Sequence, residues 1–144
     1  MTAADAAAVA DLATQLGYPT EPAAIAERLK RIGTRGATDI LLVAADEADT
    51  PVGWAHVELR DTLVAPPAAQ LMALVVGEGA RNRGIGRDLL GAAEAWAAGH
   101  GCSILMVATR VTREDAHRFY RREGYDLDKT SHIFHKALPA GDSR

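Results

Sequence analysis

Val75-Val76-Gly77-Glu78-Gly79-Ala80-Arg81-Asn82-Arg83-Gly84-Ile85-Gly86-Arg87-Asp88-Leu89-Leu90 decides how this chain folds. A β-branched apolar run ends, a short polar turn carries two arginines, and Gly84 and Gly86 open a helical pattern. That order presents unblocked main-chain N–H groups and the positive end of a helix to an anion. Glycine at both positions removes the Cβ atoms that would hold a phosphate off the backbone. Arg81, Arg83 and Arg87 add charge-assisted donors. The stretch reads as a phosphate cradle. A dinucleotide fingerprint would need a small residue where Leu89 stands, and a Walker loop would need Gly-Lys-Ser/Thr, which is absent.

The rest of the chain alternates helix and strand around that cradle. Thr2 to Asp5 has capping-box spacing, with Val9, Leu12, Ala13 and Leu16 on one helical face until Gly17. After Tyr18-Pro19, Thr20 is expected to cap a second helix with Ile25, Leu29 and Ile32 on its apolar side. Asp39 to Ala45 reads as a buried strand. The acidic turn Asp46-Glu47-Ala48-Asp49 joins it to a second strand from Val52 to Leu59. Asp61 to Ala68, with Pro66-Pro67, reads as a loop, and Gln70 to Val76 as a third strand.

The cradle's helix is expected from Gly84 to His100, with Ile85, Leu89, Ala92, Ala93 and Trp96 inward. Ser103 to Thr109 reads as a strand, and Arg113 to Glu123 as a helix begun by a Thr112 capping box and closed at Gly124. One or two strands are expected between Tyr125 and Leu138. The fold class is α/β, a central mixed sheet flanked by helices in the order α-α-β-β-β-α-β-α-β(-β), in one domain over residues 1–144.

Composition narrows the function. A length of 144 residues suits one core, and a net charge of −3 argues against a nucleic-acid partner. No apolar run reaches membrane-spanning length, so no membrane partner is expected. Neither a basic n-region nor an apolar h-region opens the sequence, and a lone Cys102 makes no internal disulfide, so the expected location is cytoplasmic. His132 and His135 stand three apart, which on a strand sends them to opposite faces, so no metal is expected.

Arg81-x-x-Gly84-x-Gly86 behind an apolar strand resembles the acetyl-CoA pyrophosphate loop of the GNAT family of N-acetyltransferases. Ala116-His117-Arg118-Phe119-Tyr120-Arg121-Arg122-Glu123-Gly124-Tyr125 resembles the family's Ala-x-x-Phe-Tyr-x-x-x-Gly-Phe/Tyr block, in the family's order and separation. Together with Phe134 to Leu138, that block is similar to aminoalkylphosphonate acetyltransferases, in the small-molecule branch.

The resemblance implies an acetyl-CoA-dependent N-acetyltransferase that moves the acetyl group directly to a primary amine of a small molecule. Arg81, Asn82, Arg83, Gly84, Ile85, Gly86 and Arg87 would hold the pyrophosphate, and Leu74, Val75 and Val76 would pair with the pantetheine arm and supply an oxyanion donor. Arg110 stands where many relatives carry Asn, at the pantetheine or adenosine end. Tyr120 is implied as general acid to the leaving thiolate, with a cofactor contact of its own.

The usual strand glutamate is missing, since Gln70, Leu71, Met72 and Ala73 occupy its positions. His56 and Glu58 share a strand face and are the candidate base acting through a water; a solvated polar face is the other reading. Acceptor-binding residues are expected in the first two helices and the Asp61–Ala68 loop. The family's first strand is missing ahead of the opening helix, so an uncovered sheet edge points to a homodimer. The same residues also admit a catalytically silent acyl-CoA-binding sensor or a protein or peptide N-acetyltransferase.

Overall fold

The computed structural model describes residues 1–140. It groups into two compact units, Met1–Ala108 and a second from Thr109 onward.

The first unit opens with the Thr2 capping box: Asp5 Oδ2 accepts from the Thr2 N–H at 2.8 Å, and a 3₁₀ turn leads into α1 (Ala6–Leu16). Gly17 ends that helix in the left-handed region, as its position predicts. Helix α2 (Pro22–Gly33) is capped by Glu21, with Pro22 in the first turn. Thr20 is not the cap. Its hydroxyl donates to the Tyr18 carbonyl at 2.6 Å and is turned away from the helix. Ala6, Val9 and Ala10 of α1 and Ile25 of α2 form one buried cluster.

Strand β1 (Asp39–Ala45) has the bounds read from sequence, but it is half-buried rather than buried, because it is an edge strand paired on one side only, and β2 (Pro51–Thr62) pairs with it antiparallel. Strand β3 (Ala65–Val76) pairs antiparallel with β2, and β4 (Leu105–Val107) pairs parallel with β3, giving a mixed sheet in the order β1-β2-β3-β4. The expected Asp61–Ala68 loop is therefore not a loop. Its residues extend β2 and β3 into a two-stranded ribbon that turns at the fully exposed Leu63 and Val64. Pro66 and Pro67 are tolerated because β4 reaches only Ala69 to Leu71, and the register slips opposite them between Arg60 and Thr62.

Helix α3 (Ile85–Gly99) buries Leu89, Leu90, Ala93 and Ala97. Ala92, expected inward, is exposed, because the buried face is centred on the Leu89–Ala93–Ala97 row. The helix lies on the β2 face that bears Gly53, where an added Cβ would meet Ile85 and Leu89 side chains at 3.3 Å each. Trp54 points the other way and packs on the α1–α2 cluster. Odd-numbered β2 residues thus face α3 and even-numbered ones face α1 and α2.

In the second unit, α4 (Glu114–Arg122) starts one residue later than the sequence suggested. A Glu114 N–H to Thr112 carbonyl bond tightens the entry, and Arg113 rather than Thr112 occupies the cap position. The closing strand or strands expected between Tyr125 and Leu138 do not form. Ile133, Phe134 and Leu138 have strand-like chemistry, yet all three are exposed and the segment joins no ladder of the sheet. Strand propensity without a partner gives no strand.

Candidate active site

The free edge of β3 is the first element of the site. The Gly77 N–H donates to the Val52 carbonyl at 2.8 Å, so β2 takes the backbone groups of Gly77 and, by alternation, those of Val75. The N–H and C=O of Leu74 and Val76 therefore point to the opposite edge, beyond Leu71, where the pairing with β4 has stopped. Arg81 closes over that edge, its Nε donating to the Val76 carbonyl at 3.4 Å. Of the three strand residues, Leu74 and Val76 offer backbone groups outward and Val75 does not.

The chain then turns through a 3₁₀ turn (Glu78–Ala80) held by a Glu78 N–H to Gln15 Oε1 bond of 3.0 Å. Asn82 (φ 64°) and Gly84 (φ 76°) adopt left-handed backbone, and Gly84 caps α3 with no side chain over its end. The first bond into the helix runs from the Asp88 N–H to the Gly84 carbonyl at 3.0 Å. The N–H groups of Ile85 and Gly86 lie ahead of it and have no acceptor inside the helix. No atom lies within 4 Å of the place where a Gly84 Cβ would sit. An open N-terminal turn flanked by exposed Arg81, Arg83 and Arg87 fits a diphosphate.

The acid–base residues on β2 are arranged differently from the shared pair that the sequence suggested. His56 Nε2 lies 2.7 Å from Asp39 Oδ2, whereas Glu58 accepts from Arg60 at 3.2 Å. Asp39 was not singled out by its sequence context. Its side chain is 2% exposed, the only buried charged one among the described residues, and His56 is 15% exposed. Thr38 Oγ1 donates to Asp39 Oδ1 at 2.8 Å, and Arg35 lies 3.9 Å from Oδ2. Burial by itself would raise the Asp39 pKa. The hydrogen bonds from His56 and Thr38, with the Arg35 charge, outweigh it and hold the carboxyl below its ordinary value. Beside His56 the β2–β3 register shifts: His56 pairs with Ala73 and Val57 with Leu71, leaving Met72 as an extra, bulged residue where the family's glutamate is missing.

In the second unit, Tyr120 meets Phe119 edge-on at 5.1 Å and Tyr125 at 5.7 Å between ring centroids. Burial pushes its pKa up to about 12 against a smaller lowering by Arg113, so the phenol keeps its proton at any physiological pH. Arg110 precedes α4, and its carbonyl is 3.0 Å from His117 Nε2. Among the described residues no three or more His, Cys, Asp or Glu side chains are grouped to hold a metal ion. No described helix is long and apolar enough to cross a membrane.

A family profile, the acetyltransferase (GNAT) family, matches residues 7–125. The chain belongs to the GNAT family of acyltransferase enzymes. An aminoalkylphosphonate N-acetyltransferase of Salmonella typhimurium is 44% identical over 82 residues, 56% of this chain and 44% of the relative. The match thus spans less than half of that protein's length. An aminoglycoside N(6′)-acetyltransferase type 1 of Stenotrophomonas maltophilia is 31% identical over 142 residues, 96% of this chain and 90% of the relative. Among solved structures, an aminoglycoside N-acetyltransferase in complex with CoA superposes with a TM-score of 0.83 at 18% identity, over 96% of this chain and 92% of that one. That likeness shows the GNAT fold.

Proposed function

We propose that the chain is an acetyl-CoA-dependent N-acetyltransferase that passes the acetyl group directly to a primary amine of a small molecule. The observation that carries this reading is the continuity of the free Leu74–Val76 edge with the open first turn of α3, joined by Arg81 on the Val76 carbonyl. An extended amide-bearing arm that ends in a diphosphate needs those two features in that order. CoA has that shape, and a structural neighbour holds CoA. Both curated relatives are N-acetyltransferases of small amines, which supports the acceptor class.

Arg81, Asn82, Arg83, Gly84, Ile85, Gly86 and Arg87 take the diphosphate. Leu74 and Val76 pair with the pantetheine amides and offer the oxyanion a backbone donor, with Val75 between them held on β2. Arg110 serves the far end of the cofactor. The acceptor amine, with a basicity near that of lysine at ~10.4, must lose a proton before attack. His56, with Glu58 two residues along the same face, takes that proton through a water. The amine nitrogen attacks the thioester carbon, the C–S bond breaks as Tyr120 gives its proton to the departing thiolate, and the second proton lost by the attacking nitrogen passes through water to restore the phenol. The chain acts as a single domain, as a homodimer, in the cytoplasm.

The test is thiol release from acetyl-CoA against a panel of aminoalkylphosphonates, aminoglycosides, polyamines and short peptides, with calorimetry for CoA and size-exclusion for the dimer. Turnover with a small amine supports the reading. Absence of CoA binding overturns it, and CoA binding without turnover on any amine leaves an acyl-CoA sensor in its place.

A further inference from the structure

Asp39 has no part in the chemistry so far, yet it is the one buried charged side chain among the described residues and it holds the candidate base. Its place is built locally. The turn before β1 is closed by Thr38 and Asp39 N–H groups bonding to the Arg35 carbonyl at 2.9 and 3.0 Å. The Leu59 N–H fixes the Thr38 carbonyl at 2.8 Å. Asp39 pairs across the sheet with Glu58, and Leu41 with His56, so the Asp39 carboxylate reaches the His56 ring on the diagonal. The charged groups facing the pair are Arg35 from the turn and Glu58 with its partner Arg60 from β2.

Burying one carboxylate is costly unless it is paired, and here two hydrogen bonds, from His56 and Thr38, and the Arg35 charge offset that cost. Here the bonds impose a direction. An ionised carboxylate can only accept, so the hydrogen in the 2.7 Å contact belongs to His56 Nε2. In the neutral ring the lone pair must then sit on Nδ1.

We propose that Asp39 is a positioning residue for acetyl transfer, fixing His56 in the Nε2–H tautomer so that Nδ1 receives the acceptor's proton. This rests on the reading of His56 as base. The ammonium gives one proton, through a water, to Nδ1. The free amine then attacks, and the imidazolium, held by the Asp39 carboxylate, returns its proton to solvent. No electron is exchanged and no co-reactant is needed. Two roles follow for one side chain: it selects the tautomer and it stabilises the charged ring.

The test joins a spectroscopic and a kinetic readout on the full chain. Imidazole ¹⁵N spectra of the parent protein are expected to show His56 with the proton on Nε2; a proton on Nδ1 overturns the inference with no variant needed. In Asp39→Asn the side-chain amide can donate to Nε2, and the ring is expected to gain the Nδ1–H form. Thiol release, with the best amine of the panel, is expected to fall on the order of 10²-fold in kcat with the acetyl-CoA KM unchanged. Asp39→Asn in a His56→Gln background is expected to cost nothing further. If His56→Gln alone keeps parent turnover, the base reading fails and this inference with it. If His56→Gln is inactive while Asp39→Asn matches the parent, the base stands and Asp39 is no more than a strand tie. Should Asp39→Asn fail to fold, the parent tautomer still decides.

Discussion

Gly53→Ala offers a sharp test of how the cradle is held, because the cost can be worked from three distances. The new Cβ would lie 3.0 Å from the Val75 carbonyl oxygen, 3.3 Å from Ile85 Cγ2 and 3.3 Å from Leu89 Cδ1. The first contact cannot relax, since Val75 is fixed opposite Trp54 in the β2–β3 ladder. The other two are side chains of α3, and Leu89 is buried. Relief therefore comes from lifting the first turn of α3 by a few tenths of an ångström. Overpacking of this kind costs about 1–3 kcal/mol. For a domain of this size that lowers the unfolding midpoint by about 3–9 °C. The same displacement moves the Ile85 and Gly86 amides, so the CoA dissociation constant should rise about tenfold, equivalent to about 1.4 kcal/mol. Two other glycines serve as controls of different sign. Gly91 lies in exposed helix with nothing near its Cβ position, so Gly91→Ala should gain up to about 1 kcal/mol from helix propensity with no change in CoA affinity. Gly84 also has open space but sits at φ 76°, so Gly84→Ala should lose about 1–2 kcal/mol through backbone strain alone. The assays are circular dichroism melts and calorimetry with CoA. A Gly53→Ala protein as stable as its parent, with parental affinity, would refute the account of close α3–β2 approach.

Four further outcomes follow. Arg81→Ala with Gly84→Val should abolish CoA binding in calorimetry, because it removes the residue bridging to the Val76 carbonyl and places a branched side chain in the cradle; retained binding refutes the cradle. Tyr120→Phe should slow thiol release on the order of 10²-fold with the acetyl-CoA KM unchanged, and unchanged turnover removes its assignment as acid. In ultraviolet titration the Tyr120 phenol should ionise only near pH 12, a step that the Tyr120→Phe protein should lack; ionisation of Tyr120 near 10 would contradict its burial. Asp39 has a depressed folded-state pKa, so its stabilisation is present above the ordinary carboxylate value and lost as pH falls below it. Melts of the parent and Asp39→Asn should therefore differ at pH 7 and converge as the pH drops under about 4.

Legibility in this sequence tracks how local each signal is. The strand Asp39–Ala45, the Gly17 stop and the helix behind Gly84 were readable because period, cap and glycine act within a few residues. The β2–β3 ribbon was not. Pro66-Pro67 reads as a breaker, and only the sheet order reveals that these prolines lie where β4 does not reach. The closing strand failed for the opposite reason: Ile133 and Phe134 carry the propensity, and the structure gives them no partner. Tyr120 and the arginine–glycine loop stood out by spacing, and the structure adds which strand residues turn outward and which does not.

The Asp39–His56 contact shows where such reading stops. The acidic turn from Asp46 already marked β1 and β2 as a hairpin, so the partner of each residue follows by counting outward from the turn. Without a slip, the observed Ala45–Pro51 pair next to the turn would set Asp39 opposite Val57, on the face toward α3 and away from His56. The structure has a register shift between Ala44 and Ala45, after which Ala44 pairs with Gly53 and Asp39 with Glu58. One extra residue moves the carboxylate to the other face of the sheet, beside the histidine. The extra residue is Val52 of β2, between Pro51 and Gly53, residue types that suit a bulge without saying which face the strand beyond it presents. In the observed register His56 and Thr38 donate to the carboxylate and Arg35 lies beside it, which offsets the cost of burying it.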